Sequence, residues 1–205
     1  MTGMMGEMAE SMPANAEAGA LLRDFGSWMA SEQKRIFLLC QRMLQDAEEA
    51  DSATQDAFLK AYQALKKPNG PEVEDASKWI TRIAVNTCLD RLRSRKWQFW
   101  RRRPASEDEA AILNLTPETA PDAEERIFAR QIEGRIAAAL NALSARQRAV
   151  FTLRHFEDRT LEEIADILKL DVGTVKAHMF RAVSKLREEL RDLYSARGGR
   201  KGGVA

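Results

Sequence analysis

Residues 160–187 read TLEEIADILKLDVGTVKAHMFRAVSKLR, which spells a helix, a tight turn and a second, basic helix. Thr160 and Glu163 have the spacing of a capping box, in which each satisfies a backbone N–H at the start of a helix. Ile164, Ala165 and Leu168 then give that helix one apolar face. Asp171 is a good N-cap for the next helix, where Val175, Met179, Ala182, Val183 and Leu186 fall at helical spacing. Its outward positions include Lys176, His178, Arg181, Lys185 and Arg187, with no acid between Asp171 and Glu188. A short helix bracing a cationic one, with small Ala165 at the crossing, is how proteins set a helix into the DNA major groove. An ordinary αα-hairpin with a solvated basic face shares the pattern, but caps, spacing, turn length and charge bias all agree on DNA binding. One position departs from the usual motif. Lys169 stands where a glycine is common, at a cost of about 1 kcal/mol if the turn needs a left-handed residue.

Working outward, the 205 residues are 44% hydrophobic and 31% charged, enough for one or two helix-rich domains with real cores. No apolar run approaches the roughly 20 residues that span a bilayer, so no membrane insertion is expected. The first residues, MTGMMGEMAESMPANAEAGA, lack a basic start and a continuous apolar stretch, so they read as a flexible extension rather than a signal peptide. Cys40 and Cys88 each sit among apolar residues on an expected helix and read as buried thiols. These features fit a cytoplasmic protein.

The net charge of +1 hides strong local polarity. From Arg91 to Arg103 there are seven bases and no acid, and from Pro104 to Glu125 seven acids and no base. A basic block beside an acidic tether suggests a surface for a polyanion and a segment that avoids or imitates it.

Strand signals are nearly absent, and the fold class expected is all-α, with two small helical domains joined by a flexible acidic linker. The first spans 20–96, where Leu21, Phe25, Trp28, Ile36, Leu39 and Met43 recur with a helical period. A second helix follows from about Asp51 and ends before Lys67-Pro68-Asn69-Gly70-Pro71. A third starts near Asp75 to Ser77 and runs to about Lys96. The linker is 97–121, punctuated by Pro104, Pro117 and Pro121. The second domain spans 122–192. In it, Ser144 and Gln147 form another capping box for a helix through His155, ahead of the helix-turn-helix at about 160–187. Residues 1–19 and 193–205 are expected to be flexible.

The third helix carries a second unusual face. Ile80, Ala84, Cys88 and Leu92 line one side, while Lys78, Arg82, Asn86 and Asp90, joined by Arg93, follow the other. Trp79 opens the helix. Bases, an amide and an aromatic on one edge suit single-stranded DNA, where cations hold phosphates, aromatics stack on bases and amides read their edges. An amphipathic helix with a solvated face and Trp79 in the core fits as well. Trp97, Phe99 and Trp100 are open to the same two readings, packing against the bundle being the better fit.

These residues carry a resemblance. Trp79-Ile80-Thr81-Arg82-Ile83-Ala84-Val85-Asn86-Thr87 through Asp90-Arg91-Leu92-Arg93 resembles regions 2.3 and 2.4 of bacterial sigma factors. Thr54-Gln55-Asp56-Ala57-Phe58-Leu59-Lys60-Ala61-Tyr62 is similar to their region 2.2, and Leu143 to Arg187 resembles region 4. The likeness covers about 20–96 and 122–192, and the lack of a third domain points to the extracytoplasmic-function (ECF) subfamily. It implies that the chain binds RNA polymerase core and directs initiation at chosen promoters. Asp51, Gln55, Asp56, Phe58 and Leu59 would meet the core enzyme, although Ser52 stands where an acid is usual. Lys78, Trp79, Arg82, Asn86, Asp90, Arg91 and Arg93 would hold the melted −10 element. Thr174, Lys176, Ala177, His178, Phe180, Arg181 and Lys185 would read the −35 duplex. The resemblance further implies promoter DNA and an anti-sigma factor as partners, with no cofactor and no metal.

Two other classes compete. A stand-alone helix-turn-helix regulator would carry a ligand or phosphoacceptor domain upstream, but the β/α alternation of a receiver is missing. An enzyme would need a catalytic constellation. The two histidines, His155 and His178, stand apart from any Cys/His or paired-carboxylate spacing, and no Gly-rich phosphate loop occurs.

Overall fold

The computed structural model describes residues 14–101 and 123–191, and every regular element among them is helical. Eight helices follow in order: α1 (Ala14–Arg23), α2 (Phe25–Leu44), α3 (Ala47–Leu65), α4 (Ala76–Arg101), α5 (Ala123–Ala142), α6 (Ala145–His155), α7 (Leu161–Leu168) and α8 (Val172–Glu189).

The first bundle is α2, α3 and α4 packed around Ile36, Leu39, Cys40, Met43, Ile80, Ala84 and Cys88. On α3 the buried face is built from Ala50, Ala53, Ala57 and Ala61, all without exposure. Small side chains three and four apart let its backbone lie close to both neighbours. The α2–α3 hairpin turns on Gln45, which is left-handed at φ 57°, and on Asp46, whose carboxylate accepts the Glu49 N–H at 2.9 Å. Cys40 and Cys88 are free, buried thiols, as their apolar surroundings imply. Contact with Cys40 and burial both push the Cys88 thiol far up, so Cys88 is held in its thiol form.

The second bundle joins α6, α7 and α8, with α5 laid along α8 through Ala139, Leu140, Leu143, Ala182 and Leu186. Both expected capping boxes are formed, Ser144 with Gln147 and Thr160 with Glu163.

Four boundaries differ from the sequence reading. α3 begins at Ala47 rather than near Asp51, because Asp46 caps it a turn earlier. α1 begins at Ala14, inside the stretch taken as a flexible extension. Its composition is that of a good helix former, and Ala18 is buried against Leu65 and Val73. The long first helical pattern breaks at Asp24 into α1 and α2. α4 continues through Arg101, past the expected stop at Lys96, because no helix breaker occurs before Pro104. The side chains of Trp97, Phe99 and Trp100 lie outside the described residues, as do the acidic segment 102–122, the start 1–13 and the tail 192–205.

The apolar core does not stop at the boundary between the bundles. Ala149, Val150 and Leu153 of α6 and Ile164 and Leu168 of α7 share one cluster with Ile80, Ala84 and Met43. Arg148 crosses the same boundary: buried, it donates to Met43 O at 2.8 Å and to Asn141 O at 3.2 Å. Burial pulls its guanidinium below the usual arginine range. The Met43 bond satisfies one of the carbonyls that α2 leaves unbonded at its C-terminal end. Among the described residues, no helix is long and apolar enough to cross a membrane.

Candidate nucleic-acid interface

The helix-turn-helix is α7, the turn Lys169–Leu170–Asp171, and α8. Lys169 is left-handed at φ 53°, ψ 53°, so a residue with a Cβ bears the strain that a glycine would avoid. Its N–H closes α7 on the Ala165 and Asp166 carbonyls. Asp171 then starts α8. Its Oδ1 accepts the Thr174 N–H at 2.7 Å and its Oδ2 accepts the Thr174 hydroxyl at 2.5 Å. Those Thr174 bonds, side chain first and then backbone, hold the Asp171 carboxyl below its usual range. Gly173 leaves room beside this cap: a Cβ there would stand 3.0 Å from Asp171 Oδ1, so the carboxylate would have to give slightly.

Val175, Ala182 and Leu186 turn α8 inward. Lys176 and Arg181 are exposed, and Phe180 is 75% exposed, the largest exposure of any big apolar side chain described. Ala177 and His178 are half-buried beside them. Burial, helped by nearby Arg181 and Arg146, pulls the His178 imidazole below its usual range, so it stays neutral at pH 7. Two of the expected reading residues do other work. Thr174 closes the cap, and Lys185 reaches back to hydrogen-bond the Ala142 carbonyl at the end of α5. Of the residues expected to read DNA, α8 thus leaves Lys176, Phe180 and Arg181 exposed, with Ala177 and His178 half-buried among them.

On α4, Asn86, Asp90 and Arg93 are exposed, and Arg93 pairs with Asp90 at 3.2 Å. Lys78 and Arg82 point along the same edge but are half-buried under α7. Lys78 meets Asp166 at 3.3 Å, and Arg82 donates to the Asp166 carbonyl at 3.3 Å. Trp79 is turned into the bundle, its ring stacked toward Trp28 with centroids 6.4 Å apart. This is the core position that sequence reasoning held as the other option. Arg91 also leaves the edge: it forks onto Glu49 at 3.0 Å, Asp56 at 2.5 Å and the Ser52 hydroxyl at 2.9 Å, tying α4 to α3.

The expected polymerase-facing residues lie along α3. Asp51 accepts from Gln55 at 2.8 Å, Phe58 is buried, and Leu59 is 54% exposed. Phe25, Met29, Gln55, Phe58, Leu59 and Tyr62 line an apolar groove of about 410 Å³ between α2 and α3. Asp56 is engaged by Arg91 rather than open.

Sequence reasoning missed the residues that join the bundles. Arg35 on α2 pairs with Glu157, whose side chain is 3% exposed, and donates to the Thr81 hydroxyl at 3.0 Å. Arg159 donates to the Ser77 hydroxyl at 3.2 Å, and the Arg42 guanidinium lies 4.2 Å from the centre of the Phe156 ring. Each is a lone charge or ring in the sequence, with no periodicity to mark it.

Comparison with known proteins fits this arrangement. Residues 28–98 match the Sigma-70 region 2 family and residues 133–186 the Sigma-70 region 4 family. The chain is 30% identical to the ECF RNA polymerase sigma factor SigW of Bacillus subtilis, over 78% of its own length and 84% of that protein's. It is 33% identical to the RNA polymerase sigma-H factor of Pseudomonas aeruginosa, over 83% of this chain and 88% of the other. In fold it is similar to the sigma factor RpoE of Bartonella quintana, solved with the anti-sigma factor NepR. That match has a TM-score of 0.62 at 21% identity, covering 82% of this chain and 98% of the other. With a region 2 bundle, a region 4 helix-turn-helix and relatives of this likeness over most of its length, the chain belongs to the ECF RNA polymerase sigma factors.

Proposed function

We propose that this sigma factor reads two forms of promoter DNA with two helices, α8 on the −35 duplex and α4 on the melted −10 strand. The observation that carries the proposal is the face of α8: Lys176, Phe180 and Arg181 exposed on a helix with no acid from Val172 to Arg187, whose start is fixed by Asp171. The major groove, about 12 Å wide, admits such a helix, and base patterns there are unique. Arg181 and Lys176 are the direct readers, and Phe180 supplies apolar contact. On α4, the exposed amide of Asn86 suits an unstacked base, and Lys78 and Arg82 suit the strand's phosphates. Favouring an unstacked base over a stacked one draws the duplex open without nucleotide hydrolysis by this chain.

The groove beside Leu59 and Tyr62, with Asp51 and Gln55 at its edge, is the docking site for polymerase core. The protein acts in the cytoplasm and as a specificity subunit, not as an enzyme. An anti-sigma factor of the kind bound to the Bartonella quintana relative is proposed as its inhibitor. Run-off transcription tests the reading: core enzyme plus this chain initiates at a cognate promoter with no other sigma subunit present. If initiation requires a second sigma factor, the chain is a helix-turn-helix regulator instead.

A further inference from the structure

We propose that Arg146, in the first turn of α6, holds a backbone phosphate of the −35 duplex and so fixes how α8 sits in the major groove. The inference rests on the reading of α8 as the −35 helix. It adds a contact from a different helix, one that positions the protein and reads no base.

The spacing along α8 brings the groups together. Thr174, His178, Arg181 and Lys185 follow one another at helical intervals, so they form one line along the helix. Lys185, at the far end of that line, hydrogen-bonds the Ala142 carbonyl, where α5 gives way to α6. The line therefore runs beside the start of α6, which packs on α8. Arg146 stands there, exposed, just past the Ser144 cap. Its guanidinium reaches the Leu168 carbonyl at 3.5 Å. So long a bond is readily exchanged for a charge-assisted one to phosphate, at about 2.7–2.9 Å. His178 lies between the cations. Its Nδ1 is buried and meets no hydrogen-bond partner among the described residues, and Arg181 and Arg146 add to the burial that pulls its imidazole down.

What marks this cluster is the missing acid. Lys78, Arg91, Arg93, Arg95 and Arg159 each pair with a carboxylate. Among the described residues, Arg146, Arg181 and Lys185 pair with none. Neighbouring cations without a counter-charge raise the local potential, and an anion relieves it. The end of α6 works in the same direction. Its capping box bonds the N–H groups of Ser144 and Gln147, so those of Ala145 and Arg146 stay open at the start of the helix. A helix lying in a groove about 12 Å wide has a phosphate strand on each flank. The flank of α8 that carries His178 and Arg181 is the one where α6 begins, so the strand on that side passes Arg146.

The test is fluorescence anisotropy of the full chain on two short labelled duplexes. One carries the −35 sequence of a promoter from which the chain initiates, and the other has that sequence scrambled. One phosphate contact steepens the salt dependence by about 0.9, which is about eightfold in affinity at 0.1 M salt and nothing near 1 M. Arg146→Ala is expected to lose that factor on both duplexes alike and to flatten the slope by about 0.9. Arg146→Lys keeps the slope, because phosphate accepts a point charge. Duplexes with one neutral methylphosphonate each then locate the contact. At one position the wild type is expected to weaken to the level of Arg146→Ala, and the variant to lose nothing more. An Arg146→Ala variant with wild-type affinity and slope overturns the proposal. So does a loss confined to the intact −35 duplex, which would make Arg146 a base reader. Equal binding of the wild type to both duplexes would instead remove the −35 reading of α8, while a flattened slope in Arg146→Ala would still leave Arg146 a phosphate contact.

Discussion

Replacing Arg91 with alanine separates two roles that its position on α4 allows. If the ion pairs to α3 are its main work, Arg91→Ala is a stability variant. Its side chain is 23% exposed, and those of Glu49 and Asp56 are 35% and 47% exposed, so both pairs are well screened by water. Half-exposed pairs contribute about 0.2–1 kcal/mol each, and a hydrogen bond such as that to Ser52 about 0.5–1.5 kcal/mol. Together they come to about 1–3 kcal/mol. Burial works against the charge on Arg91, but the bonds to Asp56 and Glu49 outweigh it and leave the guanidinium raised above its usual range. In a bundle of this size, each kcal/mol lowers the melting temperature by about 4–8 °C. Arg91→Ala should therefore melt roughly 5–20 °C lower by circular dichroism. Arg91→Lys should recover part of that, since it keeps the charge and loses the fork. Asp56→Asn should be less damaging in the Arg91→Ala background than alone. A phosphate contact predicts something else: an unchanged melting temperature, and a salt dependence of single-strand binding shallower by about 0.7. That result would refute the structural role assigned here.

Three further outcomes are expected. Arg181→Ala should cost about 1–3 kcal/mol of discrimination at the −35 element, roughly 5- to 150-fold in promoter binding. The loss should vanish on a promoter whose −35 sequence is scrambled, and equal loss on both would place Arg181 off the bases. Asn86→Ala should leave recruitment of core enzyme intact while reducing permanganate reactivity of −10 thymines. Unchanged reactivity would remove Asn86 from strand capture. Finally, region 4 should be acid-labile through its caps. Backbone bonding at Thr160 holds the Glu163 carboxyl low, and the Thr174 bonds do the same for Asp171. A depressed folded value means stability that is complete above the unfolded carboxylate value of about 4 and is lost as pH falls below it. Amide exchange at Glu163 and Thr174 should accelerate over that range, and Glu163→Gln with Asp171→Asn should flatten the profile. An unaltered profile in that variant would show that other groups govern the transition.

What could be read in the sequence was whatever a single helix specifies about itself. Thr160 with Glu163, Ser144 with Gln147 and Asp171 sit within one turn of the groups they bond, so the spacing that names them also makes the contact. Lys169 could be singled out because its left-handed turn is a local requirement. The residues of α8 were legible for the same reason, except where a long side chain had a choice. Lys185 has a four-carbon stem and finds a carbonyl 43 positions away, which no periodicity announces. Arg91 and Trp79 show the ambiguity most sharply. A helix has one polar face and one apolar face, but residues at their boundary can swing either way. The outcome depends on what α3 and α2 offer, here two carboxylates and a tryptophan ring.

The contact between the bundles was illegible for a stronger reason. Glu157 lies 122 positions from Arg35, and Asp166 lies 88 from Lys78. Every one of these residues would be an unremarkable solvated charge in an open chain. The surfaces that meet carry charges such as Lys78, Arg82 and Asp166, which are equally content in water. The apolar part of the boundary, Val150 and Leu153 against Ile80 and Ala84, does double duty as the inward face of each bundle. A boundary built from such charges and from faces that each bundle already turns inward looks, residue by residue, like surfaces that never meet.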